Sequence, residues 1–143
     1  MSVISYPNAQ STLTLNGYVF QHLMEGEALN LAPANEKTAR TNGINGSVSV
    51  SNRVDGDVHD LTIMVQKHSP DDKFLNDAKN SASPTVFDGS MKRAYFEGGT
   101  SKKATTQLTT GSITTQPGNV DNNQDADNTK TYVIQFRSAI ETF

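Results

Sequence analysis

Histidines, clustered carboxylates and a glycine-rich turn are the residues of this sequence that have the types to do chemistry. The three imidazoles, His22, His59 and His68, include one with a carboxylate next to it, His59-Asp60. A general base needs an orienting acid within hydrogen-bond reach, and adjacent residues on a strand point to opposite faces. His59 and Asp60 are therefore expected not to form a dyad. No histidine has a second ligand at a helical metal spacing, so all three read as structural. Asp121, Asp125 and Asp127 offer hard oxygen ligands of the kind calcium takes. They lack the alternating register, central glycine and terminal glutamate of an EF-hand loop, and a solvated acidic loop is the expectation. Gly98-Gly99-Thr100-Ser101-Lys102-Lys103 has the composition of a phosphate loop without its spacing, and reads as a flexible turn with a basic tip. There is no Gly-x-Ser-x-Gly elbow to strain a serine into a nucleophile. No catalytic residue and no metal ligand is assigned, no cofactor is expected, and the chain is expected not to be an enzyme.

Composition points the same way. The chain has 143 residues, the length of one domain, with 34% hydrophobic and 19% charged residues. Its polarity comes from 13 Ser, 16 Thr and 13 Asn, and threonine suits pleated surfaces while asparagine suits turns. Twelve basic against 15 acidic side chains give a net charge of -3, the wrong sign for a protein that binds nucleic acid by releasing counterions. The absence of cysteine excludes disulfides, thiolate metal sites and thiol catalysis. Met1 to Gln10 lack the basic start and apolar run of a secretory signal, and no window is apolar enough for a membrane helix. A soluble protein made in the cytoplasm is expected.

The elements that would carry such residues are mostly strands. Ser11 to Asn16 alternates with Leu13 and Leu15 on one face, and Asn16-Gly17 is a hairpin turn dipeptide leading into Tyr18-Val19-Phe20. Ala28 to Ala32 alternates again and stops at Pro33, and Asn35 to Asn45 has no periodicity and reads as loop. The strongest alternation spans Gly46 to Gln66 and predicts a central antiparallel hairpin turning at Asp55-Gly56. Its core face is Val48, Val50, Leu61, Ile63 and Val65. Its wet face is Ser47, Ser49, Ser51, Asp60, Thr62, Met64 and Gln66. Ser69-Pro70-Asp71-Asp72 predicts a helix over about 70–80, with Ser69 capping, Pro70 in the first turn and two acids complementing the dipole. Asp88-Gly89 is expected to turn a further hairpin between Thr85-Val86-Phe87 and Arg93-Ala94-Tyr95-Phe96. The last strand, Thr131 to Arg137, alternates Tyr132, Ile134 and Phe136 inward. Between Gly99 and Tyr132 only Leu108, Ile113 and Val120 are large and apolar, so 100–128 reads as a polar extended loop. The fold class is mainly β, a single domain over 1–143, with six to eight strands and one short flanking helix.

The order of these features resembles the tail tube proteins of contractile-tailed bacteriophages. The residues that carry the resemblance are Asn16-Gly17, Glu25-Gly26-Glu27-Ala28-Leu29, and Asn42-Gly43-Ile44-Asn45-Gly46-Ser47-Val48-Ser49 leading into the strands up to Gln66. His68-Ser69-Pro70-Asp71-Asp72-Lys73-Phe74-Leu75 then begins the helix. The resemblance covers about residues 13 to 97 and again 131 to 137. It implies an antiparallel β-sandwich or small β-barrel with a helix on one side, a virion protein whose copies form hexameric rings. The rings would stack into a hollow tube inside a sheath, with sheath, baseplate and tail terminator proteins as partners. DNA would pass through the lumen during ejection without specific binding, and no subunit would insert in a membrane. Secretion-system tubes share that architecture. Under this reading Ser47, Ser49, Ser51, Asp60, Thr62 and Gln66 are candidates to face the lumen. The segment 100–128 departs from the family's pattern, and Leu108, Ile113 and Val120 become candidate contacts between subunits. The alternative is a carbohydrate-binding or adhesive β-sandwich. It would present exposed aromatic platforms, and this chain has no tryptophan and 7% aromatic residues.

Overall fold

Leu13 and Leu15 are fully buried and the threonines beside them are not, so the alternation seen in the sequence is an alternation of faces. They belong to β2 (Thr12–Leu15), which turns through Asn16 (φ 50°) and Gly17 (φ 81°) into β3 (Tyr18–Val19). Two successive positive φ values match the right-handed twist of the strands they join. The Asn16 side chain donates to the Val86 carbonyl at 3.0 Å and accepts from the Asp88 N–H at 3.0 Å, pinning the turn to a distant strand.

The computed structural model describes residues 3–6, 11–118 and 129–143. Besides β2 and β3, the strands are β1 (Ile4–Ser5), β4 (Leu29–Pro33), β5 (Thr38–Asn42), β6 (Val48–Asn52), β7 (His59–Gln66), β8 (Phe87–Glu97), β9 (Thr100–Thr115) and β10 (Thr129–Thr142). One helix, α1 (Pro70–Lys79), lies between β7 and β8. Eight of the strands form a single antiparallel sheet in the order β3-β2-β8-β9-β10-β7-β4, with β1 added on the far end of β8. The fold is thus mainly β with one short helix, and its sheet is open rather than closed into a barrel. One face of β2, β7, β8, β9 and β10 supplies the core, which Leu75 of α1 and Phe20 complete. Tyr18, Phe20, Phe74 and Phe87 form an aromatic cluster beneath the helix, with the Tyr18 and Phe74 rings stacked at 4.5 Å.

The pairing departs from the sequence expectation in four places. Residues 46–66 are not one hairpin: β6 pairs with β5, in a separate two-stranded sheet, while β7 lies between β10 and β4. Leu61, Ile63 and Val65 are buried, but Val48 and Val50 are exposed at 47% and 61%. Alternation fixes which residues share a face, and it does not say whether that face meets a core. The stretch read as loop, Asn35 to Asn45, contains β5, whose faces are both wet, so no hydrophobic period marked it. Asp88-Gly89 is not a turn, because β8 runs straight through it from Phe87 to Glu97. A Cβ on Gly89 would run into the backbone carbonyl of Thr14, so glycine lets β2 approach β8.

The fourth departure is the Thr-rich segment. Residues 100–115 are the longest strand of the sheet, paired with β8 on one side and β10 on the other. Threonine's β-branched side chain suits a strand that shows one face to water, and a central strand needs few large apolar residues if its neighbours supply them. Leu108 is fully buried and the half-buried Ile113 packs against the core, so both anchor the chain's own interior. Val120 and the rest of 119–128, including the acidic cluster, lie outside the described residues.

Candidate assembly surfaces

Three regions of the surface are built with more care than a solvated exterior requires. The first is the clamp that sets α1 on the sheet. Ser69 caps the helix, its hydroxyl accepting from the Asp72 N–H at 3.3 Å. Asp71, fully buried, accepts from the Tyr18 hydroxyl at 2.7 Å and from the backbone N–H groups of Gln21 and His22 at 3.0 and 2.6 Å. Asp72 accepts from the Tyr132 hydroxyl at 2.7 Å and the His68 N–H at 2.8 Å, and Lys130 Nζ lies 3.3 Å away. Burial alone would raise the Asp72 carboxyl, but these donors outweigh it and hold the group below the usual carboxylate range. Burial and the Asp71 carboxylate push Tyr18 up to about 12, and burial with Asp72 pushes Tyr132 up as well. The sequence marks both aspartates as helix-dipole partners. That they are buried acceptors tying α1 to β3 and β10 is visible only once those strands are in place.

The second region is the wet face of the sheet. Asp60, Thr62, Met64 and Gln66 lie on it along β7, opposite the buried Leu61, Ile63 and Val65. In register beside them stand Asn30 and Ala32 of β4 and Thr131, Val133 and Gln135 of β10. Asp60 accepts from the Gln135 side chain at 2.9 Å. Hydroxyl, amide and small apolar groups make up most of this patch. Ser47, Ser49 and Ser51 are exposed too, but they belong to the two-stranded sheet of β5 and β6, so the six candidate wet-face residues do not share one surface.

That two-stranded sheet is the third region, an arm of which every residue from Thr38 to Asn52 is exposed. Its tip is Gly43-Ile44-Asn45-Gly46, with Ile44 fully in solvent and the Asn45 side chain accepting from the Ser47 N–H at 3.2 Å and hydroxyl at 2.8 Å. The register Arg40↔Val50 and Asn42↔Val48 puts both valines on one side. The arm's base is braced: Lys37 pairs with Asp57 at 2.6 Å, Arg53 with Asp55 at 3.1 Å, and Arg137 of β10 donates to the Val54 carbonyl at 2.9 Å. Those ion pairs hold the Asp55 and Asp57 carboxyls below their ordinary range.

The chemistry-bearing residues are not brought together. His59 Nδ1 lies 2.8 Å from the Asp57 carbonyl, while Asp60 faces the other way toward Gln135. The glycines at 98 and 99, both at positive φ, turn β8 into β9, and Lys102 pairs with Glu97 at 2.7 Å. Among the described residues no three His, Cys, Asp or Glu side chains are grouped to hold a metal ion, and no helix is long and apolar enough to cross a membrane. The grooves beside α1 are open: one of about 240 Å³ lies between the helix end and β9, lined by Ala78, Pro84, Phe87, Ile113 and their neighbours.

No family model matches the sequence, and no curated protein matches it. Among solved structures the fold is similar to a chain in the cryo-EM structure of the anti-feeding prophage baseplate, 6-fold symmetrised. The TM-score is 0.57 at 11% identity, over 96% of this chain and 97% of that one. At that identity the likeness is one of fold, and it extends over nearly the whole of both chains.

Proposed function

We propose that this chain is a structural subunit of the tail of a phage-like contractile particle, a ring-forming component of its tube or of the tube's junction with the baseplate. The observation that carries the reading is the near-complete overlap in fold with a chain of a six-fold symmetrised baseplate. The surfaces support it. The sheet is open, with β3 and β4 at the ends of the strand order, and open edges of this kind are satisfied by pairing or covering in an assembly. An isolated two-stranded hairpin is marginal in water, so the projecting arm fits a role between copies. Copies joined head to tail close into a ring, hexameric in this proposal. The hydroxyl- and amide-rich face of β4, β7 and β10 suits a wall along which a polyanion passes, since it offers few cations to grip phosphate. The subunit's role is architectural, its partners being further copies and the sheath, baseplate and terminator proteins of a virion.

Sedimentation velocity and negative-stain electron microscopy of the purified chain across a range of concentrations test this. Rings, or hollow rods built of rings, are the expected result. A monomer at every concentration and salt, with the protein folded, overturns the proposal.

A further inference from the structure

Asparagine is followed by glycine at three places in this chain, Asn16-Gly17, Asn42-Gly43 and Asn45-Gly46. Such a pair favours cyclisation of the asparagine, because glycine has no side chain to shield its nitrogen from the asparagine's side-chain carbon. All three asparagines are exposed, so exposure does not separate them, and the direction of the side chain does. Asn16 reaches across to β8, its amide held at both ends by Val86 and Asp88 at 3.0 Å each. Asn42 reaches backward, its Oδ1 accepting from Arg40 Nε at 3.2 Å, and the Gly43 N–H is tied to the Ser47 carbonyl at 2.6 Å. Of the three, Asn45 reaches forward. Its Oδ1 accepts from the Ser47 N–H at 3.2 Å and the Ser47 hydroxyl at 2.8 Å, an Asx turn that closes over Gly46. Such a turn brings Asn45 Cγ over the Gly46 nitrogen, near the arrangement from which the two atoms join. A Cβ on Gly46 would meet nothing within 4 Å, while one on Gly43 would run into the Ser47 hydroxyl.

From these contacts we propose that Asn45 is a site of spontaneous deamidation, which converts the tip of the arm from neutral to acidic. The Gly46 N–H gives its proton to solvent hydroxide, and the nitrogen bonds to Asn45 Cγ. Negative charge then builds on Oδ1, where the two Ser47 donors already stand. The Cγ–Nδ2 bond breaks, Nδ2 leaves as ammonia with a proton taken from water, and a succinimide ring remains. One water adds to either ring carbonyl and opens it to aspartate or to isoaspartate, with no oxidation or reduction at any step. The Gly46 N–H must first leave the Gly43 carbonyl, 3.1 Å away, and at an exposed tip that bond opens to solvent at little cost. Residues 38–52 hold no aspartate or glutamate and one charged side chain, Arg40, so the product is the arm's first acid. It adds one negative charge to a chain at -3, and isoaspartate also lengthens the main chain beside the turn. The proposal concerns the folded chain alone and stands apart from the proposed assembly.

The test follows the full chain, held dilute at mildly alkaline pH and digested with trypsin in mildly acidic buffer at successive times. The tryptic peptide from Thr41 to Arg53 holds Asn42 and Asn45 together, and fragment-ion mass spectrometry reads each asparagine separately. In urea, where the side chains lose their directions, the three Asn-Gly pairs should convert at rates within about twofold of one another. In the folded chain Asn45 should keep its urea rate, while Asn42 and Asn16 fall about tenfold below theirs. Folding that slows Asn45 as much as the other two overturns the proposal, and so does faster conversion of Asn42 or Asn16 than of Asn45. A second readout is the acidic species that the unmodified chain gains with time on anion exchange. Asn45→Gln, whose longer side chain cyclises far more slowly, should not gain it, and its appearance at an unchanged rate in that variant overturns the proposal as well.

Discussion

Replacing Asp71 by alanine removes one carboxylate and leaves three donors behind. The Tyr18 hydroxyl at 2.7 Å and the Gln21 and His22 N–H groups at 3.0 and 2.6 Å all point at that carboxylate, which is fully buried. A hydrogen bond to a charged group contributes about 1.5–3 kcal/mol where water is excluded. Gln21 is exposed and His22 half-buried, so water reaches part of the vacated site and recovers part of that sum. Loss of an acid in the first turn of the helix adds about 0.5 kcal/mol. A net loss of about 3–5 kcal/mol follows, a large share of the roughly 5–15 kcal/mol that a domain has. With a urea dependence of about 2 kcal/mol per molar, the unfolding midpoint read by circular dichroism should fall by about 2 M. Tyr18→Phe, which removes one of the three donors, should cost about 1 kcal/mol. Asp77→Ala is the control on the same helix: Asp77 is exposed and pairs only with Lys73, at 3.0 Å, so its loss should cost about 0.5 kcal/mol or less. Equal midpoints for Asp71→Ala and Asp77→Ala would refute the argument that buried acceptors fasten the helix to the sheet.

Three substitutions separate face from core: Leu61→Asp should leave no folded protein, because it buries an unpaired carboxylate, whereas Thr62→Asp and Val50→Asp should fold with melting temperatures near that of the unmodified chain. A folded Leu61→Asp, or an unfolded Val50→Asp, in solubility and circular dichroism would contradict the register. Acid should act through Asp72, whose folded carboxyl is held low. Its stabilisation is complete above the ordinary aspartate value of about 4 and is lost as pH falls through the lower folded value, so the melting temperature should drop below about pH 4. Asp72→Asn should flatten that dependence. Alkali acts with the opposite sign through Tyr18: its folded value is raised to about 12, so its share of stability is present below about pH 10 and is lost between there and about pH 12. Tyr18→Phe should remove that part of the alkaline loss.

Local physics carried a good deal of this molecule in its sequence. Asn16-Gly17 can hold two positive φ values and so turns β2 into β3. Ser69-Pro70-Asp71-Asp72 starts a helix because the Ser69 hydroxyl accepts from an orphan first-turn N–H, Pro70 has no N–H to satisfy and the two acids complement the helix dipole, and α1 begins at Pro70. Leu13, Leu15, Leu61, Ile63, Val65, Tyr132, Ile134 and Phe136 are buried because a strand's period of two makes one face apolar and the other wet. Strand partners are a different matter, since pairing joins residues distant in the chain and leaves no local mark. β6 pairs with β5 where the pattern pointed to β7, and Val48 and Val50 alternate like core residues on an arm that has no core beneath it. The Thr-rich stretch 100–115 is a central strand because β8 and β10 lie on both sides of it, which no count of its own apolar residues discloses. The same holds for Asp71 and Asp72, which the sequence presents as first-turn acids. Burial beneath Tyr18 and Tyr132, a product of the assembled sheet alone, makes them the fastening between helix and strands.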